Sequence, residues 1–314
     1  MPRLNWRWLL AVSSVPSFMA LLFYGPTPES PRYLCTKGRI TDAQKILEKI
    51  ARQNQKSLPS GVLVCDQSIG VDEVYAPSED NSLLCPIGKK PNVLRAGFSA
   101  LLMLFSSKLI RTTLSLWLLF FGNAFSYYGI VLLTSELSSG QSKCRHSIGL
   151  HSEKIRGSSL YVDVFITSLA EFPGLVLSAI LVDRIGRKLS MVIMFAMGCI
   201  FLLPLVFHQK EILTTCLLFG VRMCIMGTIT VANIYAPEIY PTSIRATGYG
   251  LVSAVGRIGG MICPLVAVGL VTGCHQTAAI LLFEAVMVVS GVSVMLLPLE
   301  TNGRELTDIV AVPE

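Results

Sequence analysis

Seven stretches of this chain are apolar over about the length of a bilayer crossing, and no other feature restricts its fold so severely. They run from 7 to 25, 112 to 136, 160 to 182, 189 to 207, 212 to 236, 246 to 271 and 277 to 298. A helix needs about 20 residues to cross about 30 Å of hydrocarbon. In lipid each backbone N–H and C=O must be satisfied within its own segment, so the stretches are read as helices. With 52% hydrophobic residues, 15% charged residues and a mean hydropathy of +0.60, the chain is too apolar to cover itself in water. The expected fold class is all-α, a polytopic membrane protein of seven spans.

Basic residues orient the spans. With the segment 27 to 111 in the cytoplasm, about 17 Lys and Arg lie on that side and about 7 outside, the direction of the positive-inside rule. Met1 to Trp6 then lie outside, and no small-residue cleavage site marks the first apolar stretch as a removable signal. Both the plasma membrane and the vacuolar membrane are compatible with this layout.

Glu171, Arg222, Arg257 and Glu284 fall inside the spans. A charge at mid-bilayer costs roughly 2.5 to 3.5 kcal/mol on insertion scales, so such residues are kept where they face a bundle interior or a wet cavity. Together they point to a path for a polar solute. Glu171 precedes Phe172-Pro173-Gly174, where proline removes a backbone donor and kinks the helix. Two readings of Glu171 stand: a proton-coupling or cation-binding carboxylate, or a fixed partner of Arg222 or Arg257. The arginines offer forked donors that match a carboxylate. Asn123 and Tyr127 are one helical turn apart, Tyr128 points elsewhere, and tyrosine faces attract quaternary ammonium groups. Glu284 is expected to be structural, paired or protonated.

The nine cysteines and four histidines show no metal-ligand spacing. No nucleophile constellation or phosphate-cradling glycine loop is present, so the expectation is no enzyme, cofactor, metal or nucleic-acid function.

The first span ends in Thr27-Pro28-Glu29-Ser30-Pro31-Arg32 and the last in Leu299-Glu300-Thr301-Asn302-Gly303-Arg304, an echo that suggests an internal repeat. The chain then divides into 1–26, the last span of an earlier repeat; 27–111, a cytoplasmic linker; 112–298, a six-helix bundle; and 299–314, a tail. Within the linker, Thr41 with Gln44 reads as a capping box opening an amphipathic surface helix, and 54 to 92 as a disordered stretch. The outer loop, 137 to 159, reads as a solvated connector. Two short cytoplasmic turns carry charge: Asp183, Arg184, Gly186, Arg187 and Lys188 in one, Glu238 and Arg245 in the other. Ion pairs between them would latch the inner helix ends in one state. In the first turn, Arg184, Arg187 and Lys188 are expected to answer carbonyls at the end of the third span.

Asp183-Arg184-Ile185-Gly186-Arg187-Lys188 resembles the signature loop of the major facilitator superfamily, and Pro28-Glu29-Ser30-Pro31-Arg32 the loop that ends the first half of its sugar-porter-like members. Pro237-Glu238-Ile239-Tyr240-Pro241-Thr242 with Arg245 and Gly248 is similar to the organic cation and synaptic-vesicle-2-related branches. The runs Phe121 to Gly129, Leu169 to Gly174 and Gly256 to Gly260 resemble the plant organic cation/carnitine transporter 7-like branch, related to nicotinate transporters. The resemblance implies a twelve-span transporter of which this chain matches the sixth to twelfth spans. It places the solute site at Asn123, Tyr127, Tyr128, Glu171, Arg222 and Arg257, with a small organic ion, and protons, as partners. It also leaves room for a chain that binds or regulates a full-length transporter. A seven-span receptor is the remaining reading, and it gives no reason for the two charged turns or the Glu29/Glu300 echo.

Overall fold

The computed structural model describes residues 6–24, 27–36, 38–58, 61, 63, 101–106, 109–138, 162–207, 211–242, 244–272 and 276–303, all of them helix, turn or irregular backbone. Most of the disordered-linker reading, most of the outer loop and the tail beyond Gly303 lie outside the described residues. The chain forms two compact units, Met1–Lys89 and Lys90–Glu314.

In the first unit, α1 spans Trp6–Tyr24, with an apolar stretch at Leu10–Phe23. Two shorter helices follow, α2 (Pro31–Thr36) and α3 (Ile40–Gln53), packed through Leu34 and Ala43, which are 1% and 0% exposed. The apolar residues of α3 recur at helical spacing on the side opposite Lys45, Lys49 and Arg52. Its start departs from the expected capping box. The N-cap is Arg39, Thr41 lies inside the helix, and the first turn is held instead by Asp42, whose Oδ2 accepts from Arg39 Nε at 2.9 Å.

The second unit is a helical bundle. Its elements are α4 (Ile110–Ser138), α5 (Glu171–Ile185), α6 (Arg187–Leu202), α7 (Glu211–Ile239), α8 (Arg245–Thr272) and α9 (Gln276–Met295). Helix α5 is the C-terminal part of a longer apolar span, Val162–Ile185. Six helices among the described residues are long and apolar enough to cross a membrane, and they match the second to seventh expected stretches within a few residues. Apolar side chains cover the bundle inside and out, as expected where the solvent is lipid. Leu116, Leu119, Met191, Met194, Val221, Phe283 and Met287 are fully buried, while Met261 and Leu265 are 73% and 77% exposed.

Small residues set the closest helix approaches. A Cβ on Gly259 of α8 would fall 2.5 Å from the Phe121 carbonyl oxygen of α4, and one on Gly174 of α5 would fall 2.6 Å from the Met223 carbonyl oxygen of α7. Backbone cannot yield as a side-chain tip can, so Gly259→Ala is expected to destabilise by about 1–3 kcal/mol through overpacking. Thermal unfolding in detergent would measure it, with exposed Gly250→Ala, where a Cβ meets nothing within 4 Å, as the control.

Candidate functional site

Two polar centres stand out in the apolar bundle, one at mid-depth and one at the helix ends around Gly186. The first begins with a break in the backbone. Pro173 has no N–H to offer the Leu169 carbonyl, and the helix that starts at Val162 pauses in a turn at Ala170. Ala170 N bonds Thr167 O at 3.3 Å, and Gly174 N resumes the α-pattern to Ala170 O at 3.1 Å. Glu171 is thereby placed in the first turn of α5, where the helix dipole favours a carboxylate.

Glu171 Oε1 collects three hydrogen bonds. Tyr127 Oη of α4 donates at 2.7 Å, Arg222 Nη2 of α7 at 2.8 Å and Arg222 Nε at 3.3 Å. The Arg222 guanidinium carbon also stands 5.7 Å from the Tyr127 ring centroid, a cation–π contact. The sequence left open whether Glu171 meets Arg222 or Arg257; the structure joins it to Arg222. The two partners are unequally buried, since the Arg222 side chain is 8% exposed and that of Glu171 30%. The more deeply buried arginine depends the more on its counter-ion.

The other expected residues lie around this triad without joining it. Tyr128 packs edge-on against Tyr127 with centroids 5.4 Å apart and is 40% exposed. Asn123, 3% exposed, accepts the Thr228 hydroxyl at 2.8 Å and so ties α4 to α7. Arg257 is exposed on α8 and forms no ion pair with a described residue. Glu284 is half-buried on α9 and forms no ion pair with a described residue.

The second centre is a clasp. Helices α5 and α6 are joined by Gly186 alone, at φ 88°, so the expected turn is mostly helix. Arg187 and Lys188 occupy the first turn of α6, the wrong end of a helix dipole for cations. Glu300, just past α9, corrects this: its Oε1 accepts Arg187 N at 2.8 Å and its Oε2 accepts Lys188 N at 2.9 Å. Arg187 donates to Asn302 Oδ1 at 2.6 Å and to Glu238 Oε1 at 3.1 Å. Glu238 Oε2 accepts the Thr301 hydroxyl at 2.5 Å, and Tyr235 donates to Leu299 O at 2.6 Å. Lys188 Nζ answers Leu297 O at 2.7 Å, so it serves the end of the last span and not, as expected, that of the third.

Of the expected latch residues, Gly186, Arg187, Lys188 and Glu238 therefore meet. Asp183 and Arg184 are exposed on the last turn of α5, and Arg245 turns to Tyr240 O at 3.2 Å. Glu300, Thr301, Asn302 and Tyr235 were not foreseen as members. The echo between Glu29 and Glu300 was the available signal for Glu300, since a carboxylate recurring after a helix end suggests a helix-capping task.

Comparison with known proteins agrees with this layout. Residues 2–312 match the sequence profile described as sugar (and other) transporter. The organic cation/carnitine transporter 7 of Arabidopsis thaliana is 54% identical over 99% of this chain, which spans 64% of that relative's length. The synaptic vesicle 2-related proteins of Xenopus laevis and Bos taurus are 34% and 33% identical, with the chain spanning 53% of each. A helical bundle carrying a part-buried ion pair at mid-depth and a charged clasp at its helix ends, matched by that profile along almost its whole length, belongs to the sugar (and other) transporter family of the major facilitator superfamily.

Proposed function

We propose that this chain forms the sixth to twelfth spans of a twelve-span secondary transporter of small organic ions, of the organic cation, carnitine or nicotinate type. In this reading α1 closes the first bundle, residues 27–111 link the bundles, 112–298 form the complete second bundle and 299–314 the cytoplasmic tail. Tyr127, Glu171 and Arg222 meet the solute, Asn123 and Tyr128 shape the wall, and Arg257 reaches it from α8. Asp183, Arg184, Gly186, Arg187, Lys188, Glu238 and Arg245 serve the inner gate. A proton on Glu171 accompanies the solute.

The Tyr127–Glu171–Arg222 triad is the observation that carries the reading. Its unequal burial favours a ligand bearing a carboxylate. If Glu171 is protonated, Arg222 needs another anion at once, and a carboxylate supplies it without leaving a buried charge alone. A bare cation that displaced Arg222 from Glu171 would strand it.

Uptake of labelled nicotinate and carnitine into vesicles tests the transporter reading. The chain alone is compared with a version extended at its start by the corresponding spans of the Arabidopsis relative. Uptake by the extended form that is lost in Glu171→Gln supports the transporter. Undiminished uptake by an extended Glu171→Gln, Arg257→Ala variant removes the assigned site.

A further inference from the structure

In the first unit a short basic helix is held beside the end of an apolar one. Every residue of α1 from Leu10 to Phe23 is exposed, Phe18 at 71%, and an apolar helix open on all sides is stable within a bilayer. The chain that leaves it stays near. Thr27 Oγ1 donates to Phe23 O at 2.7 Å, and Glu29, five residues past Tyr24, lies 3.9 Å from Arg39 Nη1, the N-cap of α3. Five residues reach at most roughly 18 Å, so α3 begins close to the surface in which α1 ends.

The two sides of α3 differ in what they can still bind. On the apolar side Ala43 is fully buried, Ile46 and Leu47 are half-buried, and α2 packs there through Leu34. On the opposite side Lys45, Lys49 and Arg52 stand at i, i+4 and i+7, all exposed. The helix closes with Gln55 at φ 53°, its N–H bonded to Arg52 O at 3.2 Å and that of Lys56 to Ala51 O at 3.0 Å, which sets a fourth exposed base at the helix end. The nearby acids do not neutralise this row. Asp42 pairs with Arg39 at 2.8 Å and lies 3.9 Å from Lys45, and Glu48 accepts the Gln44 amide at 3.4 Å. No described acid stands at ion-pair distance from Lys49, Arg52 or Lys56.

We propose that Lys45, Lys49, Arg52 and Lys56 form a binding face for the headgroups of anionic phospholipids, so that α3 lies on the bilayer by its basic side while its apolar side is kept for α2. The forked donors of Arg52 match two phosphate oxygens, and the lysines act as point charges on flexible stems. Attraction to a charged bilayer sums over bases that lie within a Debye length of it, about 8–10 Å at moderate salt, and is screened when salt is raised. The proposal needs α1 in lipid and nothing of the transport reading.

The test places the full chain in nanodiscs of phosphatidylcholine, alone or with about a third phosphatidylserine, and acetylates it briefly with limiting acetic anhydride before peptide mass mapping. Lys210, just ahead of α7, is the internal reference, so a general effect of surface charge cancels. Lys45, Lys49 and Lys56 should react at least about threefold more slowly against Lys210 in the anionic discs than in the neutral ones, and the difference should vanish at about 1 M salt. In native mass spectrometry a Lys45→Gln, Lys49→Gln, Arg52→Gln chain should retain at least about one phosphatidylserine fewer than a Lys210→Gln chain. Equal acetylation in the two discs, protection that survives high salt, or unchanged lipid retention would overturn the proposal. A diazirine on the acyl chain reports on α1 separately. If α1 is labelled while the lysines stay unprotected, the lipid face alone is refuted; if α1 is unlabelled, its reading as a span fails and the proposal falls with it.

Discussion

Glu171→Gln should cost about 3 kcal/mol of stability, more than Arg222→Met at about 1–2 kcal/mol, although both break the same ion pair. The order follows from burial. Glutamine keeps an oxygen for Tyr127 but strands a guanidinium that is 8% exposed and reaches water poorly. Removing the arginine leaves Glu171 with the Tyr127 hydroxyl at 2.7 Å and a side chain 30% exposed, where taking up a proton discharges it. The double variant Glu171→Gln, Arg222→Met should recover to within about 1 kcal/mol of the parent, because no charge remains to be compensated. Unfolding in detergent gives all three values. A larger loss in Arg222→Met than in Glu171→Gln would mean that Arg222 has a second source of solvation, and the asymmetry used to infer a carboxylate ligand would fall with it.

The second large effect is expected at Glu300. Its two oxygens each accept a backbone N–H at the start of α6, and hydrogen bonds to a charged group contribute about 1.5–3 kcal/mol each in favourable cases. Both lie at a part-buried edge, and Glu300→Ala should cost about 2–3 kcal/mol in all. Lost with the carboxylate is the charge that offsets Arg187 and Lys188 at the positive end of the α6 dipole. Glu238→Ala removes a pair whose partners are 20% and 22% exposed and leaves Arg187 its bond to Asn302, so about 1 kcal/mol is expected there. Hydrogen exchange at the first amides of α6 distinguishes the two. Faster exchange after Glu300→Ala, with little change after Glu238→Ala, is the expected outcome; the reverse order would show that the clasp is held by Arg187 and not by the helix cap.

How much of this was readable in the chain depends on the range of the interaction. The spans from 112 onward were placed within a few residues of the helices, since apolar length and backbone satisfaction in lipid are local demands. The pause before α5 was also readable, because Pro173 withholds an N–H whatever surrounds it. The start of α3 was misjudged: Thr41 and Gln44 matched a pattern, but Arg39 with Asp42 held the turn through a pairing the pattern does not include. Lys188 was assigned to the wrong carbonyl, since its partner Leu297 is more than a hundred positions away and belongs to a helix brought there by packing.

Composition and spacing by themselves determined that this is a helical membrane protein with ionisable groups inside its spans, because hydrocarbon solvates neither loose backbone nor loose charge. Tertiary packing alone decided which charges meet. It gave Glu171 to Arg222 and not to Arg257, and set Glu300 on the α6 amides. Ion-pair choice is a matter of a few ångströms between helices distant in the chain, and the sequence carries no measure of that distance.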